Sequence, residues 1–307
     1  MIEILAACAL LMLILLIAGG MVGSVSDLWL KQRARAEAFE GVNAAHEALT
    51  RSLAQATLNT HWGYEMNESH HPVAFRPESE LHFVMGRSAS LLGGSASQLP
   101  GMAVFFQAPE GRAASGDLRQ LQLLLNERGF FTQFGDTPEI PPLLRPVTPP
   151  RYRFRLMEWQ ASTEELRVYQ SATGTDWFAG RTGDASVLAE NVVALVLMAE
   201  YPGAGGTPAR RFLYDSRDDT AAERLNQMPP QIHVLMLGVS EVSARLLADK
   251  YGTAPPPLAP REDLFVNPEE FEADIAEWEV DLRKVTPPVD YLLYNSIVNI
   301  QSAKWNR

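Results

Sequence analysis

The most apolar part of the chain lies at its N-terminal end. No charged side chain occurs from Ile4 to Ser26, and the segment Leu10–Ala18 is entirely apolar. At 1.5 Å per residue, the 23 residues of this segment would form a helix of about 34 Å. This is enough to cross the hydrocarbon core of a bilayer, which is about 30 Å thick. A cleaved secretory signal would have a basic start and a shorter apolar core. Ile4–Ser26 therefore predicts a retained membrane-spanning helix.

The helical pattern continues beyond this apolar segment. Residues 27–59 contain no proline, and apolar side chains recur at three- to four-residue steps or their sums. These positions are Phe39, Val42, Leu49, Leu53 and Ala56. We expect one helix of about 55 residues, whose second half, residues 27–60, is amphipathic and packs on a globular domain.

The remaining residues, 61–307, show short β-type and helical patterns separated by glycine and proline. The predicted strands are Glu80–Met85, Met102–Gln107, Phe130–Phe134, Arg151–Gln160, Val187–Ala199 (one strand or two), Gln231–Leu237 and Tyr291–Lys304. The predicted helices are Asp117–Arg128, Val242–Ala248 and Pro268–Lys284, and Pro138–Pro150 is interpreted as a proline-rich connector. Many strands with few helices predict an α+β domain with a mostly antiparallel sheet, on which the amphipathic half of the N-terminal helix packs.

Composition and charge narrow the class of protein. Apolar residues make up 46% of the chain and charged residues 21%, as in folded globular proteins. The net charge of −11 argues against nucleic acid as a partner, because phosphate binding needs a concentrated basic surface. With Cys8 as its single cysteine, the chain has neither an internal disulfide nor a cysteine-based metal site.

One predicted strand carries a regular row of arginines. Arg151, Arg153 and Arg155 alternate with apolar residues, which is typical of a strand with one buried face. A row of arginines could contact nucleic acid, but the protein is acidic overall. We therefore interpret these arginines as the solvated face of the strand.

Two groups of polar residues are candidates for a chemical site. Five of the six histidines lie in the first third of the chain, namely His46, His61, His70, His71 and His82. No paired ligand spacing such as HExxH occurs among them, so a metal site is disfavoured. Asp215, Asp218 and Asp219 could bind calcium, but their spacing is not that of an EF-hand, and we expect a solvated loop. The sequence predicts no catalytic, cofactor-binding or metal-binding residue.

The N-terminus carries a resemblance to a known family. A glutamate at the head of an apolar helix, in Ile2–Glu3, together with a long amphipathic continuation and a β-rich remainder, resembles the type IV pilin and type II secretion pseudopilin superfamily. The resemblance implies that Glu3 is the residue through which subunits assemble. It also implies that Met1 is the third residue of the mature chain, and that a prepilin peptidase cuts after the glycine of a basic leader upstream of it.

Segments within residues 61–307 show the same resemblance. Ala189–Leu197, Gln227–Met236 and the final Ala303–Trp305 occur in the order seen in minor pseudopilins of the J type. More narrowly, Arg76–Val84, Ala103–Pro109 and Ser302–Trp305 resemble protein C of the Verru_Chthon cassette, a bacterial group of prepilin-like proteins.

The resemblance implies a non-catalytic subunit of a type IV pilus or a type II secretion-like pseudopilus. Its partners would be other pilin or pseudopilin subunits, the bacterial inner membrane and, if a leader precedes Met1, prepilin peptidase. The globular domain would face the periplasm or belong to a filament, although Lys31, Arg33 and Arg35 after the apolar segment favour the opposite orientation. Two alternatives remain open: a signal-anchored envelope domain that binds a ligand or partner without polymerising, and a membrane-tethered hydrolase that uses the histidines.

Overall fold

The computed structural model describes residue 12 and residues 38–305, except 119–120, 122, 137–150, 172–173, 204–205 and 221–223. Glu3, the predicted connector Pro138–Pro150 and, apart from Met12, the predicted span Ile4–Ser26 lie outside these ranges. None of the helices within the described ranges is long and apolar enough to cross a bilayer. The chain divides into two compact units, residues 1–40 and residues 41–307.

The described residues form short helices and a larger number of strands. The α-helices are α1 (Glu40–Ala54), α2 (Ser88–Leu92), α3 (Glu241–Tyr251) and α4 (Phe271–Lys284). The strands are β1 (His61–Met66), β2 (Pro72–Glu78), β3 (Val84–Arg87), β4 (Met102–Pro109), β5 (Leu125–Gly135), β6 (Arg153–Ala161), β7 (Ser186–Glu190), β8 (Val192–Pro202), β9 (Pro208–Arg211), β10 (Tyr214–Asp215), β11 (Gln231–Val239) and β12 (Tyr291–Asn299).

The strands form three antiparallel sheets. A six-stranded sheet has the order β10-β3-β4-β5-β6-β7, and a four-stranded sheet has the order β12-β11-β8-β9. Within the part of the chain that the structure describes, β1 and β2 pair with each other and with no further strand, as a two-stranded hairpin. The larger sheets meet at a buried contact, where the backbone N–H of Leu197 in β8 lies 3.3 Å from the sulfur of Met102 in β4. The predicted α+β class with a mostly antiparallel sheet is confirmed.

Helix α1 packs on the four-stranded sheet through the stripe predicted from its sequence. Val42, Leu49 and Leu53 are fully or almost fully buried. The sheet makes room for the helix at Gly238 in β11, where an added Cβ atom would lie 2.5 Å from Cγ1 of Val42. The backbone at residue 238 must therefore carry no side chain for the helix to approach this closely.

The predicted helix Asp117–Arg128 is wrong. Leu125–Arg128 belong to β5, which pairs with β4 on one side and β6 on the other. The leucines that suggested a helix are not held on one buried face, since Leu121 is 52% exposed. Gly129, which resembled a helix stop, lies within the strand, where a Cβ atom would be 2.4 Å from the Phe105 ring. Hydrogen bonding to two neighbouring strands here outweighs local helix propensity.

Most other predicted elements differ from the structure mainly at their ends, but only Val84 and Met85 of the predicted strand Glu80–Met85 lie in a strand, β3. The region Val187–Ala199 forms two strands, β7 and β8, and α3 and α4 occur where helices were predicted. Helix α1 ends at Ala54 rather than near residue 59, and β12 ends at Asn299 rather than at Lys304. The hairpin β1–β2 was not predicted.

Candidate functional site

The histidine-rich segment does not come together as a ligand set. His61 and His71 are exposed on the hairpin, and His70 lies in its turn with a positive φ of 59°. His46 lies on α1, whereas His82 is completely buried before β3. Among the described residues, no three or more His, Cys, Asp or Glu side chains are placed to share a metal ion.

The buried His82 joins an aspartate to a tryptophan. Its Nε2 lies 2.7 Å from Oδ1 of Asp215, and the indole Nε1 of Trp177 lies 2.9 Å from its Nδ1. An indole N–H can only donate, so Nδ1 of His82 accepts and carries no proton. Nε2–H is consequently the donor to Asp215, which fixes one neutral tautomer.

This aspartate–histidine pair is placed to hold the fold together rather than to transfer a proton to a substrate. A histidine acting as a base must present a free ring nitrogen to the substrate, but both nitrogens of His82 are occupied and its side chain has no exposed surface. Burial alone would raise the pKa of the Asp215 carboxyl. The hydrogen bonds from His82 and from the backbone N–H of Arg217 outweigh this effect and lower that pKa.

The expectation of a solvated aspartate loop is wrong for two of its three members. Asp215 is bound to His82, and Asp218 forms an ion pair with Arg224 and accepts hydrogen bonds from Thr220. The hydrogen bond from the Thr220 hydroxyl is the main cause of the lowered pKa of Asp218. Asp219 is exposed. Two of the three carboxylates thus serve internal contacts, whereas a calcium site would need several oxygen ligands directed at one point.

Two of the three arginines, Arg153 and Arg155 on β6, are buried, which contradicts the solvated face expected from the sequence, whereas Arg151 before the strand is exposed as expected. The side chains of Arg153 and Arg155 are each only 3% exposed. Arg153 forms two hydrogen bonds of 2.6 and 2.9 Å with Glu241 on α3 and one of 3.0 Å with Glu190 on β7. Alternation along a strand predicts which residues share a face, but it does not show that another element covers that face.

The Arg153–Glu241 pair connects the six-stranded sheet to the first turn of α3. The paired guanidinium of Arg153 is the largest cause that lowers the pKa of Glu241, to about 2, and Asn191 and Arg245 contribute further hydrogen bonds. The same pair raises the pKa of Arg153. A bidentate arginine–carboxylate pair of this kind fixes orientation as well as charge, so it sets how α3 sits against the sheet.

Polar contacts hold α1 along its length. Nε2 of His46 lies 3.0 Å from Oγ of Ser296, and its ring stacks on Tyr294 with 5.2 Å between centroids. Burial lowers the pKa of His46. At the end of the helix, the backbone N–H of Gln301 donates to the carbonyl of Ala54, and the hydroxyl of Ser302 donates to that of Ala56. The C-terminal residues thus close over the end of the helix.

The most unusual surface of the described residues is one face of the hairpin β1–β2. Five large apolar side chains on it are each more than half exposed: Trp62 (54%), Tyr64 (55%), Met66 (53%), Val73 (60%) and Phe75 (67%). We call these residues the hairpin apolar face. Tyr64 and Phe75 are cross-strand partners with ring centroids 5.0 Å apart. The opposite face carries charged residues, including Arg76 and Glu78. An exposed apolar surface of this kind marks an interaction site.

A groove adjoins this face at the end of the four-stranded sheet. It has a volume of about 1260 Å³ and is lined by Trp62, Tyr201 and Trp305, with Gln231 and Asn299 among its polar groups. The rings of Tyr201 and Trp305 are stacked 5.5 Å apart, and the indole N–H of Trp305 donates to the carbonyl of Met228. The hairpin apolar face and this groove form the candidate interaction site.

Comparisons with known proteins give little that bears on function. No family model and no curated protein matches the chain. Among solved structures, a type IV-like pilin from Thermus thermophilus is similar at 11% sequence identity, with a TM-score of 0.37. The similarity covers 86% of this chain and 97% of that one. A similarity at this level does not establish a role for the chain.

The predicted site residues and the hairpin apolar face lie in different parts of the chain. Glu3 and, apart from Met12, Ile4–Ser26 lie outside the described residues, so the structure does not test them. The hairpin apolar face was missed, although the alternation of Trp62, Tyr64 and Met66 could have indicated a strand with an apolar side. The sequence analysis did not identify its exposure, because that depends on what else packs nearby.

Proposed function

We propose that the protein is a non-catalytic prepilin-like subunit of a type IV pilus or a type II secretion-like pseudopilus. It would be anchored in the bacterial inner membrane by Ile4–Ser26, with its acidic domain in the periplasm or in a filament. The proposal is supported by the order of segments along the chain, in which Glu3 is followed by this apolar segment and then by α1. The amphipathic stripe of α1 packs on an antiparallel sheet. Such a chain would have an apolar helical half able to pack against copies of itself.

The assembly step would use Glu3. In a low-dielectric bundle of helices, an isolated carboxylate is costly, and a partner cation from a neighbouring subunit removes much of that cost. By the family resemblance this cation is the neighbour's N-terminal amine. The pair would set the register between helices, whereas the apolar side chains of residues 5–25 would supply the packing.

Contacts between globular domains would use the hairpin apolar face and the groove beside it. Subunits of a filament meet repeatedly, so each contact can be small. The hairpin supplies rigid aromatic side chains, which are favoured at the centres of protein interfaces. This surface also supports the second candidate function, an anchored envelope domain that binds a partner through its hairpin without polymerising.

The proposal is tested by a Glu3→Ala variant in the native host. We expect the variant to remain in the membrane fraction but to be lost from filaments or cross-linked subunit ladders. Glu47→Ala, which removes an exposed acid from α1, is the matched control and should assemble normally. Normal assembly of the Glu3→Ala variant would exclude the assembly role.

Mass spectrometry of the mature N-terminus separates the two candidate functions. A start two residues before Met1, with an N-methylated aromatic residue, would support prepilin processing. A start at Met1 in membranes, with no assembly, would favour the anchored envelope domain.

A further inference from the structure

The turn of the hairpin carries a sequence signal that the proposed function does not use. Asn67-Glu68-Ser69 is the only Asn-x-Ser/Thr triplet in the 307 residues. This triplet, with any residue but proline in the middle, is the acceptor for N-linked sugars on proteins exposed outside the cytoplasm. Asn67 directly follows Met66, the last residue of β1, so the triplet lies in the turn between two paired strands.

The turn presents Asn67 in a defined conformation. Its Oδ1 accepts hydrogen bonds from the backbone N–H groups of Ser69 at 3.0 Å and His71 at 2.9 Å. Its own backbone N–H donates to the carbonyl of His71 at 3.0 Å, and its carbonyl accepts from the N–H of His70 at 2.9 Å. Residues 65–71 are all exposed. The acceptor is thus ordered and accessible in the folded protein.

The hydrogen bonds of the Asn67 side chain leave its nitrogen available. Both bonds that hold the side chain engage its oxygen, and neither engages Nδ2. A sugar attached at Nδ2 would therefore leave this local turn intact.

We propose that Asn67 carries an N-linked glycan. In the transfer, Nδ2 attacks C1 of an oligosaccharide held on a polyprenyl pyrophosphate. A bond forms between Nδ2 and C1 while the bond from C1 to the pyrophosphate oxygen breaks. The polyprenyl pyrophosphate leaves with that electron pair, and one amide proton passes to a base of the transferase. The co-reactants are thus a lipid-linked sugar and an oligosaccharyltransferase.

The position of the glycan gives it a physical consequence. Met66 and Val73, at the turn end of the hairpin apolar face, are 53% and 60% exposed. A two-stranded hairpin is marginally stable in water unless another group packs on it. Asn67 directly follows Met66, so a sugar chain attached at Asn67 would begin next to this end of the face. The glycan would therefore begin at the edge of the surface that the proposed function assigns to subunit contacts.

The inference rests on the proposed function in one respect, because transfer requires the domain to be exported. The test is mass spectrometry of the peptide that contains Asn67, on full-length protein from the native host. We expect a mass increase of sugar composition on the wild type and on Ser69→Thr. Asn67→Gln and Ser69→Ala should lose the modification. Asn59→Gln, which alters an asparagine outside any acceptor triplet, should retain it.

Two outcomes keep this inference separate from the proposed function. Unmodified Asn67 on protein recovered from the periplasm or from filaments would overturn the glycan while leaving the subunit function intact. A modified Asn67 on protein that never enters filaments would support the glycan and count against the subunit function. Unmodified protein confined to the cytoplasm would overturn both.

Discussion

The six-stranded sheet and the hairpin β1–β2 carry similar side chains in opposite environments. In the sheet, Phe105 is completely buried and stacks on Phe178 with centroids 3.8 Å apart. In the hairpin, Phe75 is 67% exposed and touches only a cross-strand tyrosine among its ring contacts in the described residues. The six-stranded sheet is covered by the end of α1, by the four-stranded sheet and by the loop that contains Trp177. Each strand of the hairpin, in contrast, pairs with one other strand among the described residues.

The same contrast holds for the charged residues. Arg153 in the sheet is 3% exposed and held by two carboxylates, whereas Arg76 in the hairpin is 53% exposed and faces Glu78 in solvent. Side-chain type therefore does not distinguish a stabilising element from an interaction surface in this molecule. The two are distinguished by how far neighbouring elements cover the side chains, and three sets of matched substitutions measure that coverage.

The largest difference is expected between two phenylalanines. Phe105→Ala should lower the free energy of unfolding by about 3–5 kcal/mol, because it leaves a cavity among buried rings. Phe75→Ala should change it by less than about 0.5 kcal/mol, since the ring is already solvated. Urea unfolding followed by tryptophan fluorescence measures both. Equal losses would show that the hairpin face is covered in solution.

A smaller difference is expected between two ion pairs. Glu241→Gln should cost about 2–4 kcal/mol at pH 7, because it leaves the buried Arg153 without its bidentate partner. This range is lower than for a fully buried pair, since Glu241 is 37% exposed. Glu78→Gln, in the exposed hairpin pair, should cost at most about 0.5 kcal/mol. Urea unfolding of both variants gives the comparison.

The Glu241 pair also predicts a pH dependence. The pKa of Glu241 is lowered from 4.5 to about 2 in the folded protein. A carboxyl with a lowered pKa stabilises the fold above its unfolded-state pKa, and this contribution is lost as pH falls from about 4.5 towards 2. The stability difference between wild type and Glu241→Gln should therefore shrink across this range. A difference that stays constant down to pH 2 would contradict the assigned ion pair.

The smallest of the three effects concerns the tryptophans. Trp177→Phe removes the indole donor to Nδ1 of His82, so a buried acceptor is left without its hydrogen bond at a cost of about 1–3 kcal/mol. Trp159→Phe, in the same buried cluster, removes a similar volume without touching His82 and serves as the control for the cavity. Trp62→Phe in the exposed hairpin should leave stability nearly unchanged. Equal losses for Trp177→Phe and Trp159→Phe would show that the hydrogen bond adds nothing.

The sequence predicted elements best where the local pattern and the final environment agreed. The apolar stripe of α1 is buried, and β4, β8 and β11 occur where apolar strands were expected, because long apolar runs have few alternatives to burial. It failed at Leu125–Arg128, where leucine spacing favoured a helix and the hydrogen bonds of two adjacent strands prevailed. Propensity is a weak local preference, and pairing with β4 and β6 is made by residues distant in sequence.

The sequence alone was enough to establish the apolar character of residues 4–26, the acidic net charge, the single cysteine and the α+β class. These are properties of composition and short-range pattern, which do not depend on distant contacts. The tertiary structure was needed to show that Arg153 is buried, that Trp177 donates a hydrogen bond to His82 and that the aromatic face of the hairpin is exposed. Each of these depends on which elements meet, because burial and hydrogen bonding are made by groups far apart along the chain.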